Sequence, residues 1–196
     1  MERTANAWII CREMHIFEQM NISLDEIRKI GDPVLYRVAE AVEREEIPSL
    51  QPVFDRMHVL ILEFRKVWGA GRAMAAPQVG VSKRFICLNI DRPLVLINPE
   101  IADASPEMME LWDDCMSFPH LLVKLRRHRT CHIRFRDPGW NQHEWKLEND
   151  LSELLQHETD HLDGILATMR AIDNHSFRWR EPQKTEINEK PETEDS

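Results

Sequence analysis

The run Gln156-His157-Glu158-Thr159-Asp160-His161 constrains this chain more than any other stretch. Two histidines four apart share one face of a helix, where both imidazoles reach a single metal ion while the intervening glutamate stands beside it as a base. Such a helix needs a cleft for its working groups and a core for its other faces. From Leu151 to Met169, apolar residues at Leu151, Leu154, Leu155, Leu162, Ile165 and Leu166 recur with helical spacing, so a core-packed helix is expected there. Gly164 falls in or near its last turn, where a glycine ends or loosens a helix. Asp160 is available as an acceptor behind a ligating histidine.

A catalytic zinc or iron site takes three protein ligands and keeps a position open for water. Gly164 fits the glycine of the longer pattern H-E-x-x-H-x-x-G-x-x-H, but Ala167 stands where its third histidine belongs. Beyond the motif the only acids are Asp163, Asp173 and those from Glu181 onward, in a segment too polar to fold. The third ligand is therefore sought upstream, and Cys115 is the candidate. Its surroundings, Leu111-Trp112-Asp113-Asp114-Cys115-Met116-Ser117-Phe118-Pro119, are polar and tight and read as a loop entering a strand. Cys11, Cys87 and Cys131 read as inert buried thiols, the last two in apolar alternation.

Three segments in order, Gly71-Arg72-Ala73-Met74-Ala75-Ala76-Pro77-Gln78, Asp113-Asp114-Cys115-Met116-Ser117 and Gln156 to His161, resemble the GxGxAAxQ, EGCxS and QHExDH motifs of the peptide deformylase family. Ile27 to Leu35 and Leu96 to Ile101 add support, and the similarity spans about residues 24 to 170. The resemblance implies an α+β fold with antiparallel β-sheets wrapped around a central metal-binding helix. It implies Cys115, His157 and His161 as ligands of one divalent ion, Fe²⁺ first among Fe²⁺, Zn²⁺, Ni²⁺ and Co²⁺, with water in the fourth position. Glu158 would carry the proton, and Gln78 with the backbone N–H of Met116 would face the oxygen that gains charge. The implied reaction is hydrolysis of an N-formyl amide, most simply at the formylmethionine of a nascent protein meeting the enzyme near the ribosome. A metal amidase for another N-formyl or N-acyl compound, or a non-catalytic binding relative, are the alternatives.

Departures from the motifs concern the substrate. By the resemblance Arg72 and Ala73 would lie where the substrate backbone passes, and Ala73 replaces the second glycine of the first motif. The family's Glu-Gly has become Asp113-Asp114: Asp113 is one methylene shorter, and Asp114 puts a charge at the rim that would favour cationic substrate groups. Glu153 and Asp150 precede His157 by four and seven residues, on a stripe that in relatives often lines the methionine pocket with apolar groups. They read either as an altered pocket or as acids that favour a helix N-terminus.

Of the 196 residues 42% are hydrophobic, enough for one core. We expect an N-terminal extension over 1–20 without the features of a signal peptide, a hydrolase domain over 21–180, and an acidic disordered tail over 181–196. The tail holds six acids against Lys184 and Lys190, so it supplies −4 of the formal −9 and repels nucleic acid. No apolar run approaches the ~20 residues of a membrane helix, and four irregularly spaced cysteines fit a reducing, cytoplasmic setting. Neither DNA nor a membrane is expected as a partner, and oligomeric state is not read from the sequence. A helix is expected over Asp55–Lys66, with strands over Arg84–Ile90, Leu94–Asn98 and Val123–Arg136. In the last of these, Lys124, Arg126, Arg127, Arg129, Arg134 and Arg136 read as a solvated basic face, shared by His128 and His132.

Overall fold

Residues 22–182 are described by the computed structural model; the expected extension over 1–20 and all but the first two residues of the tail lie outside them. Helix α1 (Ile47–Trp68) comes first, followed by strands β1 (Ala73–Ala75), β2 (Phe85–Asn89), β3 (Pro93–Ala102), β4 (Met108–Asp114), β5 (Leu121–His128), β6 (Thr130–Arg136) and β7 (Gln142–Glu148). Helix α2 (Asn149–Leu162) and the short strand β8 (Phe177–Trp179) complete the order. The strands form a five-stranded sheet, β1-β2-β3-β6-β7, and a three-stranded sheet, β4-β5-β8, antiparallel throughout. This is the expected α+β class. Among the described residues no helix is long and apolar enough to cross a membrane.

Strand periodicity decides where the two helices pack. In β2 every residue is buried, but Phe85 and Cys87 pack with Phe54, Met57, Leu60 and Phe64 of α1, whereas Ile86 and Leu88 pack with Leu154, Leu155 and Leu162 of α2. Strand β1 divides likewise, with Met74 toward α1 and Ala73 and Ala75 toward α2. A strand buried on both faces reads as a continuous apolar run, as Phe85-Ile86-Cys87-Leu88 does. On the remaining side of α2 lies the smaller sheet, where Cys115, Val123 and Leu125 join Leu166 and Ala167 in a third cluster. Ten of the fourteen residues of α2 are buried, and the polar ones among them form the site.

Several element boundaries differ from the sequence expectation. Helix α1 starts eight residues early: Pro48 occupies the helix's first turn, where the missing N–H costs nothing, and Pro52 is accommodated inside. Helix α2 stops at Leu162, short of Met169, because Gly164 takes a left-handed φ of +73° and a Cβ there would lie 2.8 Å from the Tyr36 carbonyl. Residues Ala167–Arg170 then form only a 3₁₀ turn. Strand β3 runs to Ala102 across an irregularity between Ile97 and Glu100, with Asn98 at φ +51°. The single strand expected over Val123–Arg136 is two, since at Arg129 the chain passes from the smaller sheet to the larger. Inward positions 123, 125, 127, 131, 133 and 135 keep one parity across the break, which hides it from periodicity. Of the loop expected over Leu111–Pro119, the residues up to Asp114 are the end of strand β4, whereas those from Cys115 on do lead into a strand, β5.

Candidate active site

Three segments converge on the buried face of α2. One helical turn separates His157 from His161, and their rings lie 4.8 Å apart, edge to face. The turn after β4 brings Cys115 Sγ to 3.1 Å from His161 Nε2, while the Ser117 N–H donates to the same sulfur at 3.4 Å. From the 3₁₀ turn Ala76–Val79 comes Gln78, whose Oε1 accepts from the Ala75 N–H at 2.9 Å. Its Nε2 is thereby aimed at Ser117 Oγ (3.3 Å) and Cys115 Sγ (3.6 Å). The chain N-terminal to α1 ties the two loops together: Arg28 N–H donates to the Gln78 carbonyl and Ile30 N–H to that of Ser117.

Asp113 is buried behind His157, away from the rim. Its carboxylate accepts from His157 Nδ1 at 2.9 Å and from Arg127 Nη2 at 3.0 Å. This orients the ring so that Nε2 faces Cys115, the nitrogen that would ligate a metal once its proton is displaced. Burial opposes charge on His157, yet the Asp113 carboxylate and the Cys115 sulfur raise its pKa well above the histidine range. His161, by contrast, is pushed well below that range, first by burial and then by His157. Burial disfavours an ionised Asp113 too, but His157 and Arg127 hold its pKa below the usual aspartate value. Asp160 is not the acceptor behind a histidine. It pairs with Arg127 and with Arg170, whose guanidinium reaches Asp160 Oδ1 at 2.5 Å.

Glu158 is dry. Burial raises its carboxyl pKa to about 7 against the opposing pull of His157, Asp113 adds to the rise, and Oε2 has no hydrogen-bond partner among the described residues. A carboxyl poised near neutrality beside a ligand cluster suits a group that gains and loses a proton during turnover.

The donor set fits a divalent ion. Ligand atoms 2.0–2.3 Å from a tetrahedral metal stand roughly 3–4 Å apart, and the Cys115, His157 and His161 donors lie within 4.8 Å of one another. A thiolate with two imidazoles is a donor set for Fe²⁺, Zn²⁺, Co²⁺ or Ni²⁺. Two other groups of this kind occur among the described residues. In one, Asp103 and Glu144 flank His132, but both carboxylates already pair with Arg134. The other, Asp113 with Glu153, shares His157, whose Nδ1 already donates to Asp113.

A cavity of about 50 Å³ opens onto the cluster, with Arg72, Ala73, Gln78, Asp114, Met116 and Glu158 in its walls. Asp114 is not a free rim charge: Arg180, just beyond β8, donates to it at 2.8 Å and lies over the Trp68 ring. A larger cavity of about 670 Å³, near Phe54, His58 and Phe135, contains none of the ligand residues. Sequence reading missed Arg127 and Arg180. Arg127 carried a signal, a cation at an inward position among Val123, Leu125 and Cys131; Arg180 carried none.

Two imidazoles and a buried carboxyl on a helix between antiparallel sheets, with a thiol brought to them by the turn after β4, define a metallohydrolase scaffold. Residues 24–176 match the family described as polypeptide deformylase, and the chain belongs to that family. It is 35% identical over 141 residues to the peptide deformylase of Thermotoga neapolitana, covering 71% of this chain and 82% of that protein. The crystal structure of Thermotoga maritima peptide deformylase superposes with a TM-score of 0.68 at 33% identity, covering 75% of this chain and 97% of that one. The Met-Ala-Ser-bound class I type b enzyme of Acinetobacter baumannii has a TM-score of 0.67 at 28% identity, covering 74% and 96%. The fold and activity class implied by the three sequence motifs are those of the family.

Proposed function

We propose that Cys115, His157 and His161 hold one divalent ion, Fe²⁺ first among the ions this donor set accepts, and that Glu158 moves the proton in hydrolysis of an N-formyl amide. The observation that carries this reading is the convergence of the three donors beside a buried carboxyl whose Oε2 has no hydrogen-bond partner among the described residues. When bound, such an ion lowers the pKa of water toward ~7 and polarises a carbonyl. Glu158 takes the proton of the attacking water and delivers it to the departing amine. The C–N bond breaks to give formate and a free α-amino group. As the formyl carbon becomes tetrahedral its oxygen gains negative charge, and Gln78 Nε2 with the Met116 N–H are the donors that meet it.

The substrate is the N-terminus of a peptide, most simply a nascent chain leaving the ribosome in the cytoplasm. Formyl-Met peptides offered to anaerobically purified, iron-loaded protein should release formate in proportion to new amine; no formate under these conditions would reject the reading.

Asp113 serves this site by holding His157. Asp113→Asn removes the charge that supports His157 while keeping the side chain's shape. Metal affinity should fall ~10–100-fold, the usual cost of losing such a partner, measured by competition with a chromogenic chelator. An unchanged affinity would assign Asp113 to Arg127 alone.

A further inference from the structure

Arg72 reaches across the mouth of the site from a fixed backbone. The carbonyl of Gly71, at φ +113°, accepts from Arg65 Nε at 2.9 Å, and Arg72's own carbonyl accepts from the Asn89 N–H at 2.7 Å. What remains free to move is the side chain. It spans to α2, with Nη1 3.0 Å from Asp150 Oδ2 and Nη2 3.4 Å from Glu153 Oε2. Asp150, Glu153 and His157 follow at steps of three and four along one helix face, so the ion pair begins a single turn from the ligands. Asp150 is mostly in solvent, whereas the Glu153 side chain is 15% exposed. Two carboxyl groups share one guanidinium, so a formal charge of −1 is left over when both are ionised; burial, and then Asp113, raise the Glu153 pKa to about 7.

The cavity between Arg72, Glu153 and the ligands, about 50 Å³, has room for a few waters. On the deformylase reading, a side chain next to the formyl group would enter by opening the Arg72–Glu153 contact. An apolar side chain would separate them and leave a mostly buried carboxylate without its counter-ion, which is costly. An acidic one would add a third negative charge. A cationic one replaces the longer bond, to Glu153, while Arg72 keeps the shorter bond to Asp150. Two carboxylates then face two cations. Of the other acids lining or backing the cavity, Asp114 is held by Arg180 and Asp113 by Arg127 and His157, and Glu158 lies beyond Glu153 next to the ligands.

The geometry points to an ionic specificity pocket in which Glu153 receives a positively charged first side chain, as in an N-formyl peptide beginning with lysine, in preference to methionine. This rests on the deformylase reading above. Formylmethionyl peptides remain substrates and are cleaved less efficiently.

The test compares formyl-Lys-Ala-Ser, formyl-Met-Ala-Ser and formyl-Glu-Ala-Ser as substrates of the iron-loaded protein. Calorimetric binding of Lys-Ala-Ser, Met-Ala-Ser and Glu-Ala-Ser gives a readout independent of turnover. A charge-assisted hydrogen bond predicts kcat/KM and affinity about tenfold higher for lysine than for methionine, with glutamate last and the margin shrinking as salt is raised. Glu153→Gln should abolish the lysine preference, and Arg72→Leu combined with Glu153→Leu should turn it toward methionine. Methionine handled as well as lysine, or a lysine preference that survives Glu153→Gln, overturns the assignment. Tighter Lys-Ala-Ser binding without hydrolysis of any formyl peptide would uphold the pocket and reject the reaction; absence of both binding and turnover would reject both.

Discussion

Glu158→Gln is expected to keep its metal and lose at least ~10²-fold in kcat, the lower end of what a positioned acid–base group contributes. Glutamine has the same shape and lies beside the same neighbours, so Cys115, His157 and His161 remain as they are. What disappears is a carboxyl able to take a proton and give it back near pH 7. A second effect has the opposite sign. Burial raises the Glu158 pKa to about 7, above the ~4.3 of an unfolded glutamate. Between these values the folded state binds more protons than the unfolded one, so this group's contribution to stability is present below pH ~4.3 and lost as pH rises through 7. Metal-free Glu158→Gln should match the parent's melting temperature near pH 4.5 and exceed it at pH 7.5. Metal content by atomic absorption, formate release and the two melting temperatures test the assignment together. A variant that turns over at the parental rate would remove Glu158 from the proton path.

The local chemistry of the site was legible because its parts are local in sequence. His157, Glu158 and His161 lie within one helical turn and a bit more, and Cys115 announced itself by polar neighbours where Cys87 and Cys131 have apolar ones. The helix carrying the motif and the doubly buried strand β2 were also readable, the first from its period and the second from its unbroken apolar run. What failed depended on contacts across the chain. Asp114 read as a free charge because nothing near it in sequence answers it; Arg180, 66 residues later, does, and it arrives only because β8 pairs with β5, Trp179 opposite Leu121. Arg127 read as solvated because strands with basic faces are common. Its position is inward, and two buried carboxylates from β4 and α2 justify it there. Asp160 was assigned to a histidine on proximity along the helix, yet the partner of His157 is Asp113, 44 residues upstream. Asp150 and Glu153 read equally well as helix-start acids, because nothing local in sequence shows that Arg72 spans both.

Cys115→Ala should empty the metal site while leaving the fold standing. The two effects separate because the thiol does two jobs of different size. As a core residue Cys115 packs with Leu35, Phe118, Val123, Leu125 and Leu166, and removing one sulfur from such a cluster costs about 1 kcal/mol. As a donor it is one of three, and its loss leaves two imidazoles, one of them already engaged by Asp113 through its other nitrogen. An ion then gives up its only thiolate, the donor that supplies negative charge and softness at this site. Bound metal should fall from near one equivalent to a small fraction at micromolar protein, and the melting temperature should lose its dependence on added metal, since ligand binding to the folded state is what raises it. Without metal, variant and parent should melt within a few degrees of each other. Cys115→Ser separates donor chemistry from size, because it keeps a small polar atom in place and should bind metal better than alanine but less well than cysteine. Stoichiometry and affinity unchanged in Cys115→Ala would take Cys115 out of the ligand set. The third donor would then have to come from Asp113 or Glu153, the other carboxylates grouped with His157, and their alanine variants would show the metal loss that Cys115→Ala did not.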